Sequence, residues 1–186
     1  VYARQSGGVF FLRIEDTDQK RMVEGGIENI VGVLHGFNIL PSEGYSFGGD
    51  YEPYQQSKRT EIYQTYVKDL ICQGYAYPCF MTEEEQNTIK EEQAINKMKI
   101  GIYGHYAVDR DLSLDEVKEK LANGEEYVIR LKSPGDANKT IEVIDCIKGK
   151  MKFSEHDMDT VLLKKDGTPT YHFAHAIDDH LMHTTY

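Results

Sequence analysis

No apolar run in this 186-residue sequence approaches the roughly 20 residues needed to cross a bilayer, so no membrane-spanning helix is expected. A secretory leader is not expected either, because Val1 is followed by Arg4, Gln5 and two glycines rather than an apolar stretch. Cysteine is scarce. Cys72, Cys79 and Cys146 are odd in number, widely spaced and without a C-x-x-C pair. That argues against a disulfide framework and for small buried thiols in a reducing cytosol. Positive charge is in the minority, with 21 Lys and Arg against 31 Asp and Glu and a net charge of −10. A protein that coats nucleic acid by bulk attraction is thereby disfavoured, and any such contact would need local basic patches. There is no initiator Met and no cap chemistry at Tyr186, so both termini read as cuts. Internal repeats and low-complexity tracts are absent.

What remains is ordinary for a soluble globular protein, at 40% hydrophobic and 28% charged residues. The length suits one domain, or a core with a smaller domain inserted. Composition alone points to a small-molecule enzyme.

Gly7-Gly8 precedes the strand-length apolar run Val9–Ile14, which reads as a buried parallel strand. Asp16, Thr17 and Asp18 then could cap a helix from about Arg21 to His35, with Val23, Ile27, Ile30, Val31 and Leu34 on one face. Gly25-Gly26 weakens that helix. A loop from Gly36 to Pro53 leads to a helix capped by Ser57 and stopped by Gly74. Tyr75–Met81 reads as a strand. Thr82-Glu83-Glu84-Glu85 and Ser113-Leu114-Asp115-Glu116 are capping boxes, opening helices to about Lys99 and Asn123. Short β runs follow at Tyr127–Leu131, Thr140–Ile144, Lys150–Phe153 and Val161–Leu163, and Asp166-Gly167 predicts a hairpin into a strand over Thr170–Ile177. The order implies an α/β core: 1–77 as one core part, 78–165 as an α+β insertion, and 166–186 as a return to the core.

Two constellations carry chemistry. Glu15 and Asp16 fall at the end of the first strand, where open parallel sheets bind ligands, and a carboxylate there can hold an ammonium. The alternative is that these acids only cap a helix. In the second, strand alternation puts Tyr171 and His175 on one face and His172 on the other. The dense His172, His175, Asp178, Asp179, His180 and His183 set admits a metal, structural histidines or substrate contacts, and the metal reading is weakened because alternation separates His172 from His175. Cys79 has no second thiolate nearby and reads as a buried thiol.

Four blocks lie in one order: Arg13-Ile14-Glu15-Asp16-Thr17-Asp18, Tyr54-Gln55-Gln56-Ser57-Lys58-Arg59, Ala76-Tyr77-Pro78-Cys79-Phe80, and Asp166-Gly167-Thr168-Pro169-Thr170-Tyr171 followed by Asp178-Asp179-His180. Together they resemble the bacterial-type class I glutamyl-tRNA synthetases over nearly the whole chain. The resemblance implies a Rossmann-type class I core interrupted by a connective domain that grips the tRNA acceptor stem. It implies that Glu15 binds the α-ammonium of L-glutamate, that Tyr171 and His175 line the same pocket, and that Asp18 and Arg21 lie near the tRNA 3′ end. No residue here is implied as a nucleophile. His175 departs from the Asn of some members.

ATP with Mg²⁺, L-glutamate and tRNA(Glu) are the implied substrates of a cytoplasmic, monomeric full enzyme. The family's His-Ile-Gly-His element would precede Val1, and its Lys-Met-Ser-Lys-Ser-like loop and anticodon-binding region would follow Tyr186. The chain alone is therefore not expected to form adenylate, and pyrophosphate exchange by it would contradict that. Some members bind zinc through Cys-x-Cys and later ligands. Here Met81 stands at the second Cys position and Asp109 at a later one, so no zinc is expected. Three rivals stand beside this reading. They are a non-catalytic acceptor-stem module, the paralogue that glutamylates a modified base of tRNA(Asp), and a metal-dependent hydrolase.

Overall fold

The apolar run after Gly8 forms ladder pairs only at Phe11–Leu12 (β1), which lies parallel to Glu43–Gly44 (β2). The pairing needs a glycine. Gly44 has φ 127°, and a Cβ there would sit 2.4 Å from the Leu12 carbonyl oxygen. Parallel pairing continues past β1, where the Ile14 N–H donates to the Tyr54 carbonyl and the Gln56 N–H donates back to Ile14. In this computed structural model residues 2–18 and 21–185 are described. They divide into two compact units, Val1–Tyr66 with Gly167–Tyr186, and Val67–Asp166.

The first unit also holds Tyr2–Ser6 (α1), Gly26–Gly36 (α2), the start of Thr60–Cys72 (α3), and a helix at Tyr171–Leu181. Several expectations fail here. The helix expected from Arg21 begins only at Gly26, after Gly25 in a left-handed conformation, so Asp16 to Asp18 do not cap it. Asp16 is instead buried and accepts from the Ser57 N–H, the Ser57 hydroxyl and Gln55. Residues 170–177 are not a strand, and Asp166-Gly167 is not a hairpin turn. The turn delivers the chain into a helix whose extended N-cap is Thr170. Buried Phe173, Ala174, Asp178 and Met182 recur at helical spacing, which the equally regular alternation of Tyr171, Phe173, His175 and Ile177 concealed.

The second unit is organised on an antiparallel sheet of Ala76–Cys79 (β3), Val128–Leu131 (β4) and Val161–Leu163, with β4 in the middle. Both capping boxes form. Thr82 opens Glu83–Ile95 (α4) and Ser113 opens Leu114–Ala122 (α5), each with reciprocal bonds to the third helical residue. The first of these helices stops short of Lys99, where the chain turns left-handed at Lys97 with φ 53°, and the buried Gln93 side chain bonds both the N–H and the carbonyl of Gly101. Tyr77, Cys79, Met81, Ile102 and Ala107 form an apolar cluster under the sheet. Thr140–Asp145 (β5) and Gly149–Ser154 (β6) make a separate, exposed hairpin before Val161–Leu163 (β7), and Tyr171–Leu181 is the last helix, α6. Among the described residues no helix is long and apolar enough to cross a membrane.

Candidate functional site

The end of β1 and the face of α6 converge on a cleft of about 1060 Å³ within the first unit. Arg13, Glu15, Glu43, His175, Asp179 and Met182 are among its lining residues. Parallel pairing of residues 14 and 55 sends the chain out of the strand at Glu15, so Glu15 faces the cleft while Asp16 turns inward to Ser57.

Arg13 ties the cleft together. Its Nη2 donates to Glu15 Oε1 at 2.7 Å and its Nη1 to Asp179 Oδ1 at 2.9 Å. Burial alone would lower the Arg13 pKa, but the two carboxylates hold it above its ordinary value. Burial would likewise raise Glu15, and hydrogen bonds from Arg13 and His175 bring it below the usual carboxylate range. The His175 ring sits between two acids, with Nδ1 3.0 Å from Glu15 Oε1 and Nε2 3.0 Å from Asp179 Oδ2. A ring protonated on both nitrogens serves both acids, and a neutral ring serves one.

Behind this layer lies Asp178, whose side chain is 0% exposed. It accepts from Arg59 Nε at 2.8 Å, Gln56 Nε2 at 2.9 Å and the Tyr63 hydroxyl at 2.7 Å. Burial and that carboxylate push the Tyr63 hydroxyl far above its ordinary value, so it stays a donor. Successive helical residues therefore do different work: Asp179 meets the cleft, and Asp178 locks α6 to the Tyr54–Arg59 segment.

Of the residues singled out in the sequence, Glu15 and His175 are in direct contact. Tyr171 is half exposed, one helical turn before His175, with ring centroids 5.6 Å apart. A helix keeps Tyr171 and His175 on one side, as the expected strand did, for a different geometric reason. Asp18 and Arg21 form their own exposed ion pair and are not among the cleft-lining residues. Among the described residues no three His, Cys, Asp or Glu side chains are placed to hold a metal ion. Arg13 is not among the residues singled out in the sequence, and the run before it is only half-buried or exposed rather than the buried strand expected. Its signal is an arginine two residues before a glutamate, which once buried needs an anionic partner.

The sequence profile of the family described as tRNA synthetases class I (E and Q), catalytic domain, matches residues 1–186. The chain belongs to this family. A glutamate–tRNA ligase of Clostridium beijerinckii is 53% identical over 187 residues, covering 98% of this chain and 34% of the relative. One of Acetivibrio thermocellus is 50% identical, covering 99% of the chain and 34% of the relative. A crystal structure of a glutamate tRNA ligase from Elizabethkingia meningosepticum in complex with its amino acid superposes with a TM-score of 0.87 at 40% identity. That match covers 99% of this chain and 37% of the other. The chain thus spans about a third of the length of these curated relatives. Its fold is the α/β core of a class I synthetase. The four sequence blocks that suggested the family are now seen in space: the first, second and last meet at Arg13, Asp16 and Asp178.

Proposed function

We propose that this class I synthetase chain supplies the amino-acid-recognising part of a glutamate–tRNA ligase. The full enzyme activates L-glutamate with ATP and Mg²⁺ and transfers it to the 3′ end of tRNA(Glu). The observation that carries the reading is the Glu15 carboxylate, held ionised by Arg13 at the mouth of a cleft that also presents Asp179 and His175. An ammonium entering there meets an acceptor fixed in position, with a charge-assisted hydrogen bond available. His175 lines that cleft, and in this reading Tyr171, half exposed beside it and not itself among the cleft-lining residues, completes the wall of the glutamate pocket. Relatives bearing the ligase name, and a structural neighbour described as holding its amino acid, support the assignment.

The chemistry then follows from positioning. A glutamate carboxylate oxygen attacks the α-phosphorus of ATP, giving glutamyl-adenylate and pyrophosphate. A ribose hydroxyl at the tRNA terminus next takes the acyl group and AMP leaves. Neither step needs a protein nucleophile, so the residues on this chain act by orientation. Asp18 and Arg21 lie near the tRNA 3′ end in this reading, and residues 78–165, within the second unit, are the insertion that grips the acceptor stem. The enzyme works in the cytosol, as a monomer.

The insertion takes no zinc. Burial pushes the Cys79 thiol above its ordinary value, which disfavours the thiolate that zinc requires. Met81 packs in the apolar cluster, and Asp109 is already accepting from the Phe80 N–H at 2.8 Å. Metal analysis of the purified protein is expected to find no stoichiometric zinc, and one equivalent per chain would contradict this. The ligase reading itself is tested by charging tRNA(Glu) with glutamate using the full-length enzyme that contains this sequence. Binding of tRNA with no glutamate-dependent charging would favour the non-catalytic module instead.

A further inference from the structure

The surroundings of Arg13 are built around it. Its side chain is 7% exposed and touches four groups from two parts of the chain. Nη2 meets Glu15 Oε1 and lies 3.2 Å from His175 Nδ1, while Nη1 meets Asp179 Oδ1 and lies 3.8 Å from Met182 Sδ. The Nε atom, by contrast, is buried without a hydrogen-bond partner, and Asp178 Oδ2 stands 3.9 Å from it. A buried donor left unbonded is unfavourable. Both Asp178 oxygens already accept from Gln56, Tyr63 and Arg59, and the Arg13 fork is turned to the cleft.

We infer that Arg13 is a positioning residue for amino-acid recognition. One arm fixes the Glu15 carboxylate and the other fixes Asp179 one helical turn from His175, so that Arg13 sets the spacing between the strand-end acid and the helix-borne imidazole. This inference rests on the proposed glutamate site and deepens it. Only a planar, two-armed cation does this. A lysine ammonium carries the same charge but cannot reach two carboxylates in fixed register.

The test uses the full-length enzyme containing this sequence, with steady-state charging of tRNA(Glu) by wild type, Arg13→Lys and Asp179→Asn. For Arg13→Lys the KM for glutamate is expected to rise about tenfold or more, the loss of one charge-assisted bond in fixed geometry. The KM for ATP and the melting temperature should stay near wild type. Asp179→Asn, which leaves Arg13 anchored only at Glu15, should raise the glutamate KM in the same direction. An unchanged glutamate KM in Arg13→Lys overturns the inference, as does a parallel rise in the KM values for glutamate and ATP together with a lower melting temperature, which marks a merely structural residue. If Arg13→Lys does not fold, an unchanged glutamate KM in Asp179→Asn overturns it alone. Failure of the ligase reading looks different, because wild type itself then shows no glutamate-dependent charging, and both ideas fall together.

Discussion

Asp16 and Glu15 are adjacent acids with opposite fates. Glu15 faces the cleft and bonds Arg13, whereas Asp16 turns inward and takes three hydrogen bonds from Ser57 and Gln55. Burial alone would raise Asp16, and those bonds bring it below the ordinary aspartate value. A depressed folded-state value means the unfolded chain binds the proton more readily, so the stabilisation is present above the unfolded value, near about 4, and is lost as pH falls through the folded one. Asp16→Asn is therefore expected to lower the melting temperature at pH 7, by an amount matching about 1–3 kcal/mol, with the gap to wild type closing below about pH 4. A gap that does not narrow at all as the pH falls below about 4 would show that the carboxylate's charge is not what Ser57 and Gln55 read. The inward turn was not legible in the sequence. Acids before a periodic segment satisfy the pattern of a cap, and only the pairing of Ile14 with Gln55, distant in the chain, brings Ser57 within reach.

At the scale of elements, α6 depends on Asp178 far more than α4 depends on its cap. Asp178 is fully buried and accepts from Arg59, Gln56 and Tyr63 at once. Asp178→Ala leaves the Arg59 guanidinium buried without its counter-charge, and a loss of about 3–5 kcal/mol in chemical denaturation is expected. Thr82→Ala removes an exposed cap and should cost about 1 kcal/mol. Equal losses from the two variants would contradict this ranking. The capping boxes were fully legible because they are local: four consecutive residues specify the bonds. The last helix was misread because Tyr171–Ile177 satisfies two periods at once. What decides between them is burial of Phe173, Ala174, Asp178 and Met182, which depends on partners over a hundred residues earlier in the chain.

For the whole molecule, the family was legible from four blocks in register, while the reason those blocks occur was not. The spatial meeting of Arg13, Asp16 and Asp178 supplies it: the first strand, the Tyr54–Arg59 segment and α6 are joined by buried acid–donor contacts, leaving Glu15, His175 and Asp179 on the open side. Composition misled only in emphasis. Its acidic balance disfavoured nucleic-acid coating, and it says nothing against a small-molecule cleft in a chain that belongs to the tRNA synthetases. Glu15 is proposed as the acceptor for the ammonium of glutamate. Charging of tRNA(Glu) by the full-length enzyme, comparing wild type with Glu15→Gln over a range of glutamate concentrations, tests it most directly. Glutamate-dependent charging is expected in wild type, with a glutamate KM raised about tenfold or more in Glu15→Gln and the ATP KM unchanged. Equal glutamate KM values for the two proteins would contradict it.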